Sequence, residues 1–164
     1  MEKYKERIDK IIASTGIMSR KDAKKAVSKR RICLNGVPVK DVAQKATEID
    51  VLTLDGEPIE YKKYIYIMMN KPKGYVCSTD DPSSPIVNLL LNEQLQRLDL
   101  FSIGRLDKYT TGLIILTNDG VLAHSLLSPT KHVYKKYQFE TKAPMSAEYI
   151  EVFEKGVVIE DGTV

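Results

Sequence analysis

Asp107 lies between Arg105 and Lys108 in the stretch GRLDKYTTGLIILTNDG, residues 104–120. A short polar loop with one glycine separates it from the apolar run Leu113–Leu116. An acid set between two cations ahead of an apolar strand has two physical readings. One is a turn residue or N-cap paired to Arg105 or Lys108. The other is a carboxylate kept ionised by a neighbouring guanidinium and available as a nucleophile, with the strand beneath it as a rigid support. Residue types and spacing leave both open.

The second concentration of chemistry is cationic. Residues 20–31 hold Arg20, Lys21, Lys24, Lys25, Lys29, Arg30 and Arg31, with Asp22 as the single acid among them. One acid cannot neutralise them within the helix, and the i,i+4 like-charge pairs Arg20/Lys24 and Lys21/Lys25 repel mildly unless a polyanion binds. Ser19 begins this segment, where free N–H groups favour phosphate. A solvated face is the bland alternative. A nucleic-acid surface with affinity dominated by counterion release is the functional one, and DNA and RNA are not distinguished. Charge distribution along the chain points the same way. Residues 1–50 carry 13 Lys or Arg against 7 Asp or Glu, whereas residues 51–164 carry 12 against 15. A basic front attached to a mildly acidic remainder suggests a polyanion-binding part joined to a part with another job.

Other chemistries find little support. No second carboxylate has the spacing for glycosidase-type acid/base work, and Asp80-Asp81 lies in a Pro-rich loop without a histidine. Cys33 and Cys77 form no CxxC pattern, and His124 and His132 have no cysteine ligands nearby, so no metal site is expected. The longest apolar runs are far shorter than a membrane span, and no signal segment opens the chain. The expectation is a cytoplasmic protein, monomeric and without membrane association.

These residues need elements to position them. Tyr4, Ile8, Ile11 and Ile12 recur at helical spacing, with Gly16 as a C-terminal cap. Ser19 starts a second helix with Asp22 as its capping-box partner, and Ala23, Ala26 and Val27 form its apolar stripe. Asn35-Gly36 and Asp55-Gly56 each read as hairpin turns. Residues 60–64, EYKKY, read as a joint between a domain at 1–60 and another at 61–164. In the second domain YIYIMMN, YVCST, Leu100–Ile103, Leu113–Thr117, KKYQFET and Val157–Ile159 read as strands. Helices are expected at Ile86–Leu91, Val121–Leu127 and Ser146–Lys155. The fold class is α+β, with a mixed, mainly antiparallel sheet. The terminal EDG reads as a turn whose return strand is missing, so the pattern is expected to continue and the second domain to be incomplete.

The segment ERIDKIIASTGIMSRKDAKKAVSKRRICLNGVPV closely resembles the S4-type RNA-binding domain through Arg7-Ile8-Asp9-Lys10, Gly16, Ser19-Arg20 and Asn35-Gly36. The resemblance implies docking on structured RNA through Ser19, Arg20, Lys21, Lys24, Lys29 and Arg30. GRLDKYTTGLIILTNDG is similar to the signature of pseudouridine synthases that act on small-subunit ribosomal RNA. MNKPKGYVCSTDDPSSPIV and SPTKHVYKKYQFE resemble the segments before and after it in that family. The resemblance implies isomerisation of a uridine of 16S rRNA, free or in a small-subunit assembly intermediate, without cofactor or metal. Asp107 would be the nucleophile, Tyr137 would stack on the base or relay a proton, Arg105 would hold RNA or fill the space the base leaves, and Lys135 would contact phosphate or the carboxylate. Members of the family also carry a later basic motif that pairs with the catalytic acid. The rival readings are an RNA-binding or ribosome-assembly module and a hydrolase that releases uracil.

Overall fold

A computed structural model describes residues 4–131 and 133–157. The chain divides into two compact units, Met1–His132 and Val133–Val164. His132, the distal part of the expected strand Val157–Ile159 and the terminal EDG turn lie outside the described residues.

The first unit has two apolar cores. The first core is built by helices α1 (Ile8–Ser14) and α2 (Arg20–Ser28), preceded by the short strand β1 (Lys5–Arg7). Ile8, Ile11 and Ile12 of α1 meet Ala23, Ala26 and Val27 of α2, all buried, as their helical spacing requires. The small residues of α2 let the helices approach while its long cations stay outside. The strands β2 (Ile32–Leu34), β3 (Val37–Pro38), β4 (Lys45–Thr47), β5 (Leu52–Leu54) and β6 (Glu57–Pro58) complete this half. They form an antiparallel sheet in the order β3-β2-β5-β6 and a separate antiparallel pair, β1-β4. Both hairpin turns adopt the expected geometry. Asn35 and Gly36 have φ of 51° and 79°, and Asp55 and Gly56 have 53° and 89°, the positive values that a tight type I′ connection needs.

The second core is a three-stranded antiparallel sheet, β7 (Tyr66–Lys71), β8 (Phe101–Ile103) and β9 (Gly112–Thr117), with β9 central. Ile114 and Leu116 of β9 pack with Val87, Leu98 and Leu100. Helix α3 (Glu93–Gln96) precedes β8, and α4 (Gly120–Leu127) follows β9. The second unit contains α5 (Ala147–Lys155), which begins after Ser146.

Three expectations need correction. YVCST is not a strand but a single parallel bridge between Val76 and Ile86. Beyond it, Ser78 Oγ bonds the Asp80 backbone and the Asp81 carboxylate accepts from Ser83. These side-chain turns, bounded by Pro82 and Pro85, divert the backbone from a ladder. Val87–Leu90 is a 3-10 turn rather than a full helix. KKYQFET has no strand structure. Its alternation of aromatic and polar residues fits a strand, but the second unit has no strand among its described residues to pair with it.

Candidate functional site

Asp107 lies in the loop between β8 and β9, with its side chain exposed. Among the described residues its carboxylate has no hydrogen-bond or ion-pair partner, so the expected pairing with Arg105 or Lys108 is absent. Arg105 is also exposed. Lys108 turns its Nζ to Ser84 Oγ at 3.1 Å instead. Asp107 is thus a turn residue without the cation partner that either reading gave it, and the acid stands open at the surface of its loop.

The backbone under Asp107 is nonetheless tightly held. Lys71, the last residue of β7, is fully buried. Its ammonium donates to the carbonyl oxygens of Thr110 (2.8 Å), Pro72 (3.1 Å) and Lys108 (3.3 Å). A buried charge is tolerated only when such partners replace water. The Gly74 amide adds a bond to the Lys108 carbonyl at 2.7 Å, and the Leu106 amide donates to Cys77 Sγ at 3.3 Å. Thr110 N closes a turn on the Asp107 carbonyl at 3.0 Å. The KPKG turn and the residues after it thus form a bracket around the loop that carries the acid.

Lys71 was not singled out among the sequence-based site residues, although a signal was present. Along YIYIMMNK the inward positions Ile67 and Met69 alternate with the exposed Tyr66, Met68 and Asn70. The same period places Lys71 on the inward face. A lysine continuing an apolar face implies a buried polar partner.

On the basic helix, Ser19 is the N-cap. Its Oγ accepts from the Asp22 amide at 3.1 Å and donates to the Asp22 carboxylate at 2.6 Å. These bonds occupy the hydroxyl expected to face RNA. The hydroxyl bond, followed by contact with Lys25, holds the Asp22 carboxyl below the usual carboxylate range. Arg20, Lys21, Lys24, Lys29 and Arg30 are all exposed. Arg30 has φ of 56°, in the region that favours glycine. The Arg30 amide bonds the Val27 carbonyl and the Arg31 amide bonds that of Ala26, which is a Schellman cap with arginine at the left-handed position. Arg31 pairs with Asp55, and Arg7 holds the largely buried Asp9 through two bonds of 2.9 and 3.0 Å. That pair explains the Arg7-Ile8-Asp9 spacing as an anchor for the start of α1.

Lys135 and Tyr137 belong to the second unit, where both are exposed on a segment without regular structure. Within the first unit, Asp107 and Arg105 share one loop, and the expected RNA-facing cations share α2 and its cap.

Comparison with known proteins adds the family. Residues 65–156 match the family model described as RNA pseudouridylate synthase, and residues 6–52 match the S4 domain. An uncharacterised RNA pseudouridine synthase of Bacillus subtilis is 44% identical over 157 residues, covering 95% of this chain and 66% of that protein. Ribosomal small subunit pseudouridine synthase A of Escherichia coli is 38% identical, over 92% of this chain and 65% of that protein. Ribosomal large subunit pseudouridine synthase B of Bacillus subtilis is 32% identical, over 96% and 64%. The chain therefore spans about two thirds of the length of these relatives. With both domain matches in order and the GRLD acid on a bracketed loop, the chain belongs to the RNA pseudouridine synthase family whose members carry an S4 domain ahead of the synthase domain.

Proposed function

We propose that the protein converts one uridine of 16S ribosomal RNA to pseudouridine, with Asp107 as the nucleophile. The observation that carries this reading is the exposed, unpartnered Asp107 carboxylate on a backbone fixed by buried Lys71. A nucleophile needs to be open to substrate and held in place, and this loop offers both. The higher identity to a small-subunit synthase, 38% against 32% for a large-subunit one, favours 16S rRNA as the substrate.

The target nucleotide leaves its stack to reach the carboxylate, at a cost of about a few kcal/mol. Asp107 attacks either C6 of the base or C1′ of the sugar. The N1–C1′ bond breaks, the base rotates in place and C5 bonds to C1′. The proton on C5 then leaves and N1 gains one, so the change is an isomerisation with no net redox. Tyr137 stacks on the base or relays the C5 proton. Arg105 contacts the RNA backbone or occupies the space vacated by the base, and Lys135 contacts phosphate or the carboxylate. Residues 1–60 act as the RNA-docking domain, through Ser19, Arg20, Lys21, Lys24, Lys29 and Arg30, and residues 61–164 belong to the catalytic domain. Binding energy gained away from the reacting base offsets the flipping cost. The setting is the cytoplasm, the enzyme a monomer, and the partner free 16S rRNA or an assembling small subunit.

One observation favours a second reading, an RNA-binding or ribosome-assembly module without catalysis. The S4-matched residues 6–52 present the exposed cations Arg20, Lys21, Lys24, Lys29 and Arg30 without any part played by Asp107. Incubation with a 16S rRNA transcript, followed by carbodiimide treatment and reverse transcription, separates the readings. A new stop supports the synthase, released uracil would indicate a hydrolase, and RNA bound but unchanged would indicate the binding module.

A further inference from the structure

A cleft of about 580 Å³ opens beside the basic helix, at the place where the two cores of the first unit touch. One wall is α2 with Lys25 and Lys29, and Arg31 stands at its end. Arg97, the residue that caps α3 and lies within the region matched by the synthase model, also lines the cleft. The cations are not equally free. Lys25 pairs with Asp22 at 3.0 Å and Arg31 with Asp55. Asp22, the one acid lining the cleft, is also bonded by Ser19. Lys29 has no acid partner among the described residues, and Arg97 reaches only Glu93, at 3.8 Å across an exposed surface. Two cations with little neutralisation therefore line one opening together with the apolar Ile17, Met18 and Ala26.

The position of Arg97 is set by a close contact between the two halves. Gln94 Nε2 donates to the Thr15 carbonyl at 2.8 Å, and Arg97 donates to the carbonyls of Gly16 and Ile17, each at 3.4 Å. Gly16, at φ of 73°, leaves room for this approach, since a Cβ there would sit 2.1 Å from the Gln94 carbonyl oxygen. The long Arg97 bonds leave most of its donor capacity unused.

We infer that this cleft is an RNA backbone site in which Arg97 from the synthase half and Lys29 from the S4 half grip the same phosphodiester, with the ribose against Met18 and Ile17. A phosphodiester suits a cleft lined by two cations and apolar side chains, and an arginine fork gives it a fixed geometry. The site extends the S4 surface across the junction and binds RNA to both halves at once. It rests on the assignment of RNA as the substrate made above.

The test is filter binding of a radiolabelled 16S rRNA transcript to the whole chain over a range of salt concentrations. Arg97→Gln weakens binding about tenfold and reduces the slope of log K against log salt by about one. Lys29→Gln does the same from the S4 half, and Arg97→Lys, which keeps the charge, retains the slope. Thermal melting checks that each variant is folded. If Arg97→Gln binds as the wild type does, or if Arg97→Lys and Arg97→Gln lose affinity equally with an unchanged slope, Arg97 is only a strut between the halves and the inference fails. Wild-type protein that shows no salt-dependent binding to the transcript would overturn the RNA assignment itself, and the cleft with it.

Discussion

A lysine ammonium is an expensive group to bury, and Lys71 is bonded to carbonyl oxygens of Pro72, Lys108 and Thr110 rather than to a carboxylate. Its position makes sense as a fastening for the loop that displays Asp107. Lys71→Met keeps most of the volume but leaves the Thr110 carbonyl without its buried donor. The expected loss of stability is about 1–3 kcal/mol, measured by denaturant unfolding. In turnover, kcat is expected to fall while KM stays near its wild-type value, because the S4 half rather than this loop would supply most of the proposed RNA docking. Unchanged stability together with unchanged kcat would show that the loop does not depend on Lys71. Arg30 offers a second test at this scale. Its left-handed backbone would suit glycine better, so Arg30→Gly is expected to raise the melting temperature by a few degrees, about 3 °C. The same change removes a cation from the basic face, so RNA affinity falls as stability rises. A gain in stability with no loss of RNA binding would remove Arg30 from the interface.

At the scale of elements, the end of β9 and the start of α4 form one polar joint. Asp119 caps α4 by accepting from the Val121 and Leu122 amides at 3.1 and 3.0 Å, and Tyr66 of β7 donates its hydroxyl to the same carboxylate at 2.6 Å. The Leu122 amide first, then the Tyr66 hydroxyl, hold the Asp119 carboxyl below the usual carboxylate range. A carboxyl with a depressed pKa in the folded state adds stability above its unfolded value of about 3.9, and that contribution is lost as pH falls through the lower folded value. Asp119→Asn preserves a good capping residue but not the charge. Its melting temperature is therefore expected to fall less than that of the wild type between pH 5 and pH 3, as followed by circular dichroism. Equal falls would mean that the Asp119 charge does not contribute.

At the scale of the whole molecule, no helix among the described residues is long and apolar enough to cross a membrane. The apolar residues on the outer face of the synthase sheet are instead partly open, with Met68 79% and Leu113 65% exposed. Local chemistry in the sequence reads well wherever one residue decides the geometry. Asn35-Gly36, Asp55-Gly56 and the Ser19 cap all adopt their expected forms, since positive φ and a free amide are local demands. The same holds for β7 and β9, whose apolar runs both form strands. Long-range demands are less legible. YVCST has strand-forming residues, but its neighbours Ser78 and Asp81 spend their side chains on turns. KKYQFET has the right alternation and no described partner strand. The β1-β4 pair depends on three residues meeting across some forty positions, a contact that no local pattern announces. At the candidate site, the GRLD word puts forward Asp107 and Arg105, whereas the unpartnered state of Asp107 and the Lys71 fastening emerge only when β7 is laid beside β9. Arg97, eighty positions from Gly16 and Ile17, joins the basic cleft for the same reason.

The central claim, that Asp107 is the attacking group, predicts the fate of a single hydrogen. Forming the C5–C1′ bond expels the proton from C5, so a 16S rRNA transcript labelled as [5-³H]uridine reports turnover by releasing tritium to water. Wild-type protein is expected to release tritium equivalent to one uridine per transcript. Asp107→Asn is expected to release none above background while binding the transcript within about twofold of wild type, because the substitution removes the nucleophile and leaves the docking surface intact. Tritium release by Asp107→Asn at a rate near that of the wild type would contradict the account.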